Sequence, residues 1–150
     1  MKALFNLIST FFYLGNLPKV PGTWGSLGAL FVWSLIPESL LFRFTLLVIT
    51  LIIGFIACEF SLQQIDDPDP SYIVIDEVVG LWIALLFVPK TIFFFLLGFV
   101  LFRLFDIWKP FPINYVDNNT KGALGIMLDD ILAAVYTIII LTIVFFFIGA

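Results

Sequence analysis

Residues 131–150 form a run of 20 without one charged side chain, and this run constrains the fold more than any other feature. A spanning helix satisfies its own backbone hydrogen bonds and shows lipid only apolar side chains. At about 1.5 Å rise per residue, such a run covers the roughly 30 Å hydrocarbon core of a bilayer. Four more apolar runs precede it, at 27–36, 44–58, 78–88 and 91–102. The first and third hold only 10 and 11 residues. They cross only if the segments before them, 22–26 and 72–77, continue their helices below the membrane surface. Pro37-Glu38-Ser39 and Pro89-Lys90-Thr91 read as tight turns between the runs they separate. The expected fold is therefore all-α: a single domain over 1–150 forming a polytopic membrane helical bundle. It has four to five membrane-embedded helices, arranged as two hairpins plus a C-terminal helix. Leu4, Phe5, Ile8, Phe11 and Phe12 share one helical face, which predicts an interfacial helix over 3–14. No small-residue cleavage site follows it, and Gly15-Asn16-Leu17-Pro18 reads as a helix stop.

Composition narrows the chemistry. The chain is 62% hydrophobic and 12% charged, against near half and about a quarter in a soluble domain. One cysteine, Cys58, and no histidine exclude disulfide frameworks, Cys/His zinc sites, Ser-His-Asp triads and phosphohistidine. A net charge of −4 without a Lys/Arg cluster argues against nucleic acid as a partner. Carboxylates, hydroxyls, Lys and Arg remain.

Counting crossings brings the polar segments together. Ten of the 11 carboxylates fall on one membrane face: Glu59, Asp66, Asp67, Asp69, Asp76, Glu77, Asp106, Asp117, Asp129 and Asp130. Glu38 lies on the other. Lys2, Lys19, Arg103, Lys109 and Lys121 share the acidic face, and only Arg43 and Lys90 lie opposite. The positive-inside bias makes the acidic face cytoplasmic. Asp66, Asp67 and Lys121 read as solvated loop residues. Asp76-Glu77 and Asp129-Asp130 are different, because apolar residues flank both pairs. Ionisable groups in apolar helix ends are costly unless paired, metal-bound or facing a polar cavity. Asp106 stands three residues from both Arg103 and Lys109, which aligns cation, anion and cation on one helical face.

Several crowded carboxylates, with Asp106 and Glu59 near them, are tolerable only around a cation. Oxygen ligands without His or Cys select a hard ion; Mg²⁺ is the usual one and Mn²⁺ the substitute. The metal set is then Asp76, Glu77, Asp106, Asp129, Asp130 and Glu59. A phosphate partner fits Arg103 and Lys109, since Arg grips two oxygens at once. It also fits Pro21-Gly22-Thr23-Trp24-Gly25-Ser26, an anion-binding helix start in which Gly22 and Gly25 permit close approach and Thr23 or Ser26 caps. Cys58 lacks an Arg six residues on, and Asp67-Pro68-Asp69-Pro70-Ser71 lacks the α/β domain that an Asp-x-Asp-x-Ser phosphatase needs. A small cation channel or transporter is the alternative function, and it predicts acids at mid-membrane rather than at helix ends. A structural assembly factor, docking through the acidic face, is the third.

Four motifs in order resemble one family. They are Pro21-Gly22-Thr23-Trp24-Gly25-Ser26; Asp69 followed by Ile73-Val74-Ile75-Asp76-Glu77-Val78-Val79-Gly80; Phe102-Arg103-Leu104-Phe105-Asp106-Ile107-Trp108-Lys109-Pro110-Phe111-Pro112-Ile113; and Gly125-Ile126-Met127-Leu128-Asp129-Asp130. The sequence is similar, over about 21–136, to the bacterial phosphatidylglycerophosphatase A family. The resemblance implies a Mg²⁺-dependent, multi-pass enzyme of the bacterial inner membrane that converts phosphatidylglycerophosphate to phosphatidylglycerol, with its active site toward the cytoplasm. On that reading Mg²⁺ polarises the terminal phosphate and orients a water. Arg103 and Lys109 neutralise the phosphoryl oxygens. Asp76 or Asp130 is the base, and an aspartyl-phosphate intermediate is the other route. The partners are the phospholipid substrate and the membrane. Apolar surface on every helix is also compatible with a homo-oligomer.

Overall fold

The computed structural model describes residues 2–64, 67 and 70–148, and the elements among them are all helical. In chain order they are α1 (Lys2–Ser9), a short 3-10 turn (Leu14–Asn16), α2 (Pro21–Leu35), α3 (Leu40–Leu62), α4 (Ile75–Leu85), α5 (Ile92–Trp108), α6 (Ile113–Asn119) and α7 (Gly122–Ile148). Asp66 and Asp69 lie outside the described residues.

Local chemistry sets the helix ends. Pro21 opens α2 at a position where a missing N–H costs nothing. α2 stops at Leu35 because Ile36, ahead of Pro37, is extended. Ser39 and Thr91 cap α3 and α5, each accepting a backbone N–H three residues on at 3.4 Å. Short turns join α2 to α3 and α4 to α5, but only α4 and α5 form a packed hairpin: α2 packs mainly on α4, and α3 on α1, α4 and α7, so the expected first hairpin is corrected. α5 ends at Lys109, whose left-handed backbone (φ 46°) and following Pro110 break the helix.

α4 is the axis of the bundle, touching α2, α3, α5 and α7. Val78, Val79, Leu81, Trp82, Ala84 and Leu85 are all buried, as expected of a helix apolar on every side. Glycines allow the close packing: a Cβ on Gly80 would meet the Phe102 ring at 2.7 Å, and one on Gly98 would meet Leu85 at 2.6 Å. Trp82 Nε1 donates to the buried Ala29 carbonyl at 2.9 Å.

The outside of the bundle is apolar too. α3 and α7 are long and apolar enough to cross a membrane, and only 22% of the most apolar stretch of each is buried. A core helix of a soluble protein would be mostly buried. Phe31, Leu41, Ile52, Phe93, Val100, Ile139 and Phe146 are exposed around the bundle, far more apolar surface than a water-soluble monomer displays. The described fold is all-helical, with two helices long and apolar enough to span a membrane.

Three further expectations need correction. The N-terminal helix stops at Ser9, not near 14. The Ser9 and Thr10 hydroxyls donate to the Asn6 carbonyl at 3.3 and 2.7 Å, and Phe11, Phe12 and Tyr13 turn left-handed. Phe11 is therefore buried while Phe12 is exposed, so these two do not extend the apolar face that Leu4, Phe5 and Ile8 form on α1. α7 starts at Gly122, which puts Asp129 and Asp130 about two turns inside a helix rather than at its end. Of 72–77, only the part from Ile75 onward is helical, whereas 22–26 lies wholly within α2.

The shortness of α4 positions the site. The 23 residues of α3 extend about 34 Å, while the 11 residues of α4 extend about 16 Å. Ile75 packs against Gly54, eight residues and so about 12 Å before the end of α3. The start of α4 is thus recessed. The N-terminal segment holds it there: Val74 N–H donates to the Ser9 carbonyl at 2.9 Å, and Ser61 Oγ donates to Ser9 Oγ at 3.1 Å.

Candidate active site

A cavity of about 470 Å³ opens where the first turns of α2 and α4, the last turns of α5, α6 with its following loop, and the first third of α7 meet. Asp76, Glu77, Arg103, Asp106, Lys109, Asp129 and Asp130 all line it, together with Gly22 and Thr23. Four segments far apart in sequence therefore converge on one space.

The acids divide by their partners. Carboxylate oxygens of Asp76, Glu77 and Asp130 lie within 4.8 Å of one another. Each of these residues has a buried oxygen with no hydrogen-bond donor among the described residues: Oδ1 of Asp76, Oε2 of Glu77 and Oδ2 of Asp130. Three carboxylates this close, each with one buried and unpartnered oxygen, repel strongly unless a cation joins them. The donor set is all oxygen, which fits a hard divalent ion. Asp106 and Asp129 are instead tied to cations. Arg103 Nη1 donates to Asp106 and reaches Glu77 Oε1 at 3.5 Å. Lys109 Nζ donates to Asp129 at 2.7 Å and to Asp117 at 2.5 Å. The second oxygen of Asp129 accepts the Asp130 N–H at 3.0 Å. Burial disfavours the Lys109 ammonium, but its hydrogen bonds to Asp117 and Asp129 outweigh that and hold its pKa above the ordinary lysine value.

Gly22 belongs to this cluster by necessity. A Cβ there would stand 2.0 Å from Glu77 Oε1 and 2.9 Å from Arg103 Nη1. Only the bare backbone lets the start of α2 approach the ion pair. The first turns of α2 and α4 carry no side-chain cap, so the positive ends of both helices face the cavity.

Other expected members sit elsewhere. Ser26 is buried and donates back to the Gly22 carbonyl at 2.8 Å, and Gly25 packs against Val74. Neither lines the cavity, and neither Thr23 nor Ser26 caps α2. They shape the helix start rather than offer it to a ligand. Glu59 is exposed on α3 outside the cavity, which removes the reason to count it among the ligands. Conversely, Ser71, Asp117, Asn118, Thr120 and Lys121 line the cavity without having been singled out as site residues. Lys121, read as a solvated loop residue, faces the site because α6 folds its loop back over α7.

Carboxylates set against an arginine and a lysine, recessed in an apolar helical bundle, form the kind of site that suits a hard cation beside an anionic group. Comparison with known proteins narrows this further. The family model described as Phosphatidylglycerophosphatase A matches residues 7–145. The chain is 38% identical over 137 residues to phosphatidylglycerophosphatase A of Escherichia coli (strain K12), covering 90% of this chain and 80% of that one. It is equally identical over 140 residues to the Haemophilus influenzae protein of the same name, covering 90% and 85%. A Bacteroides thetaiotaomicron protein provisionally named a phosphatidylinositol-3-phosphatase is 38% identical over 151 residues, covering 95% and 94%. No solved structure matches the chain. The chain belongs to the phosphatidylglycerophosphatase A family.

Proposed function

We propose that this protein removes the terminal phosphate of phosphatidylglycerophosphate, giving phosphatidylglycerol and phosphate, in the inner membrane of a bacterium. Family membership supports the reaction. The observation that carries the site is the trio Asp76, Glu77 and Asp130, each with an unpartnered buried oxygen, lining one recessed cavity together with Arg103. These three acids would hold Mg²⁺. When bound, Mg²⁺ supplies Lewis-acid polarisation of a phosphoryl oxygen and lowers the pKa of a water.

The chain's own groups do the rest. Arg103 and Lys109 bind the remaining phosphoryl oxygens, and their charge matches the charge that spreads over those oxygens in the transition state. Asp106 and Asp129 hold these two cations in place through the ion pairs described above. The positive ends of α2 and α4 favour the terminal phosphate dianion over the uncharged glycerol hydroxyl that replaces it in phosphatidylglycerol. Asp130 or Asp76 takes the proton of the attacking water as the new bond from its oxygen to phosphorus forms; the bond between phosphorus and the glycerol oxygen breaks, and the same carboxyl gives its proton to that oxygen, which leaves as an alcohol. α2, α3, α4, α5 and α7 are the membrane-embedded helices in this reading, α1 rests at the interface, and the cavity opens to the cytoplasm. The acyl chains then remain in lipid while the headgroup enters the recess. Beneath the acids, Leu81, Phe102, Ala133 and Ala134 are fully buried along the bundle axis, which favours a closed pocket over an ion path.

The test is phosphate release from phosphatidylglycerophosphate in mixed micelles by the purified protein. Asp130→Asn is expected to lower turnover by at least about 10³-fold, and EDTA to abolish activity that Mg²⁺ restores. Turnover that survives both treatments contradicts the proposal.

A further inference from the structure

A second cavity, of about 350 Å³, lies at the opposite end of the bundle, between the α2–α3 and α4–α5 turns and the far end of α7. Its polar lining is Arg43, Lys90 and Glu38, and its walls include Leu86, Phe87 and Phe145. Arg43 is only 4% exposed. Its guanidinium lies 5.2 Å above the Trp33 ring and its Nε donates to the Pro37 carbonyl at 3.0 Å. Its Nη2, however, is buried with no hydrogen-bond partner among the described residues. Lys90 Nζ makes one hydrogen bond, to the Ile36 carbonyl at 3.1 Å, and an ammonium carries three donors. Among the described residues neither cation forms a salt bridge.

A buried guanidinium without a counter-ion is costly, and one anion between Arg43 and Lys90 removes that cost. The start of α3 lies about 34 Å from its other end, so this cavity sits at headgroup depth in the far leaflet. There the abundant anion is a phosphate ester carrying acyl chains, and the apolar walls suit those chains. We infer that this cavity binds the phosphodiester of an anionic phospholipid from the leaflet opposite the active site, with Arg43 and Lys90 on the phosphate oxygens. The inference rests on the chain crossing a bilayer, not on the phosphatase chemistry.

Native mass spectrometry of the full-length protein, released from detergent holding equal phosphatidylglycerol and phosphatidylcholine, tests it. Wild type is expected to retain phosphatidylglycerol preferentially, and Lys90→Gln to reduce that retention about tenfold while Lys90→Arg preserves it. Arg43→Gln is expected to act in the same direction; because Arg43 is buried, the half-exposed Lys90 supplies the result if that variant does not fold. A parallel arm offers inorganic phosphate at the same concentration without lipid, and it is expected not to bind. Undiminished retention in Lys90→Gln, equal retention of the two lipids, or binding of free phosphate as tight as that of lipid each overturns the inference. Phosphate release from phosphatidylglycerophosphate, measured on the same samples, stays within about twofold of wild type in Lys90→Gln, because the two cavities lie at opposite ends of the bundle. An inactive wild type would sink the phosphatase reading alone.

Discussion

Gly22→Ala is the sharpest probe of how the site is assembled. The added methyl would stand 2.0 Å from Glu77 Oε1, so that oxygen has to retreat by about 1.4 Å to reach ordinary contact at 3.4 Å. Arg103, at 2.9 and 3.1 Å from the same position, has to shift with it. Both neighbours are the ends of flexible side chains, so they move while the backbone stays. A misplacement of about 1 Å in a reacting constellation costs about 10²-fold in rate. The expected outcome is therefore a roughly 100-fold fall in kcat with little change in thermal unfolding. Gly98→Ala is the control. Its Cβ would meet Leu85 at 2.6 Å and Leu141 at 3.4 Å in the packed interior, which predicts a loss of about 1–3 kcal/mol in stability and an unchanged kcat for the folded protein. Phosphate release in mixed micelles and fluorescence-monitored unfolding separate the two. Wild-type turnover in Gly22→Ala, or a rate loss matched by an equal loss in Gly98→Ala, would refute the reasoning.

Other substitutions test separate parts of the site and the fold. Arg103→Lys is expected to lower kcat by about 10²-fold, because one ammonium cannot span Glu77, Asp106 and a phosphoryl oxygen as a planar guanidinium does; initial rates at saturating substrate check this. Asp117→Asn leaves Lys109 held by Asp129 alone, and since this pair is about a third exposed the effect is small: KM rises severalfold while kcat stays within about threefold. Trp82→Phe removes the buried hydrogen bond to Ala29 and is expected to cost about 1 kcal/mol in unfolding measurements, with kcat unaffected.

The helix breaks at Pro37 and Pro89 were legible because proline turns and capping residues act locally, whereas the packing of α2 on α4 rather than on α3 depends on contacts between distant segments. Asp76, Glu77 and Asp130 were legible as acids stranded among apolar residues. What differs depends on contacts that a linear order does not carry. Glu59 sits on the correct membrane side but on the outward flank of α3, and side is all that topology gives. Gly25 and Ser26 belong to a motif with Gly22 and Thr23, yet a helix turns about 100° per residue and carries them toward Val74 and away from the cavity. Asp117 reaches Lys109 only because α6 folds back, and no periodicity links positions eight apart across a helix break. The early start of α7 escaped notice because Asp129 and Asp130 interrupt the apolar run, although a helix tolerates charges that face a polar cavity.

The recess beneath the end of α3 determines how the enzyme meets its substrate. On the proposed placement in the bilayer, a headgroup would sink about 12 Å past the end of α3 while its tails stay anchored, and encounter would be a lateral search within a sheet of lipid. Velocity accordingly follows the mole fraction of phosphatidylglycerophosphate in a micelle or vesicle, not its molarity in the tube. Diluting the surface with inert detergent slows the reaction even when every component's bulk amount of substrate is held fixed.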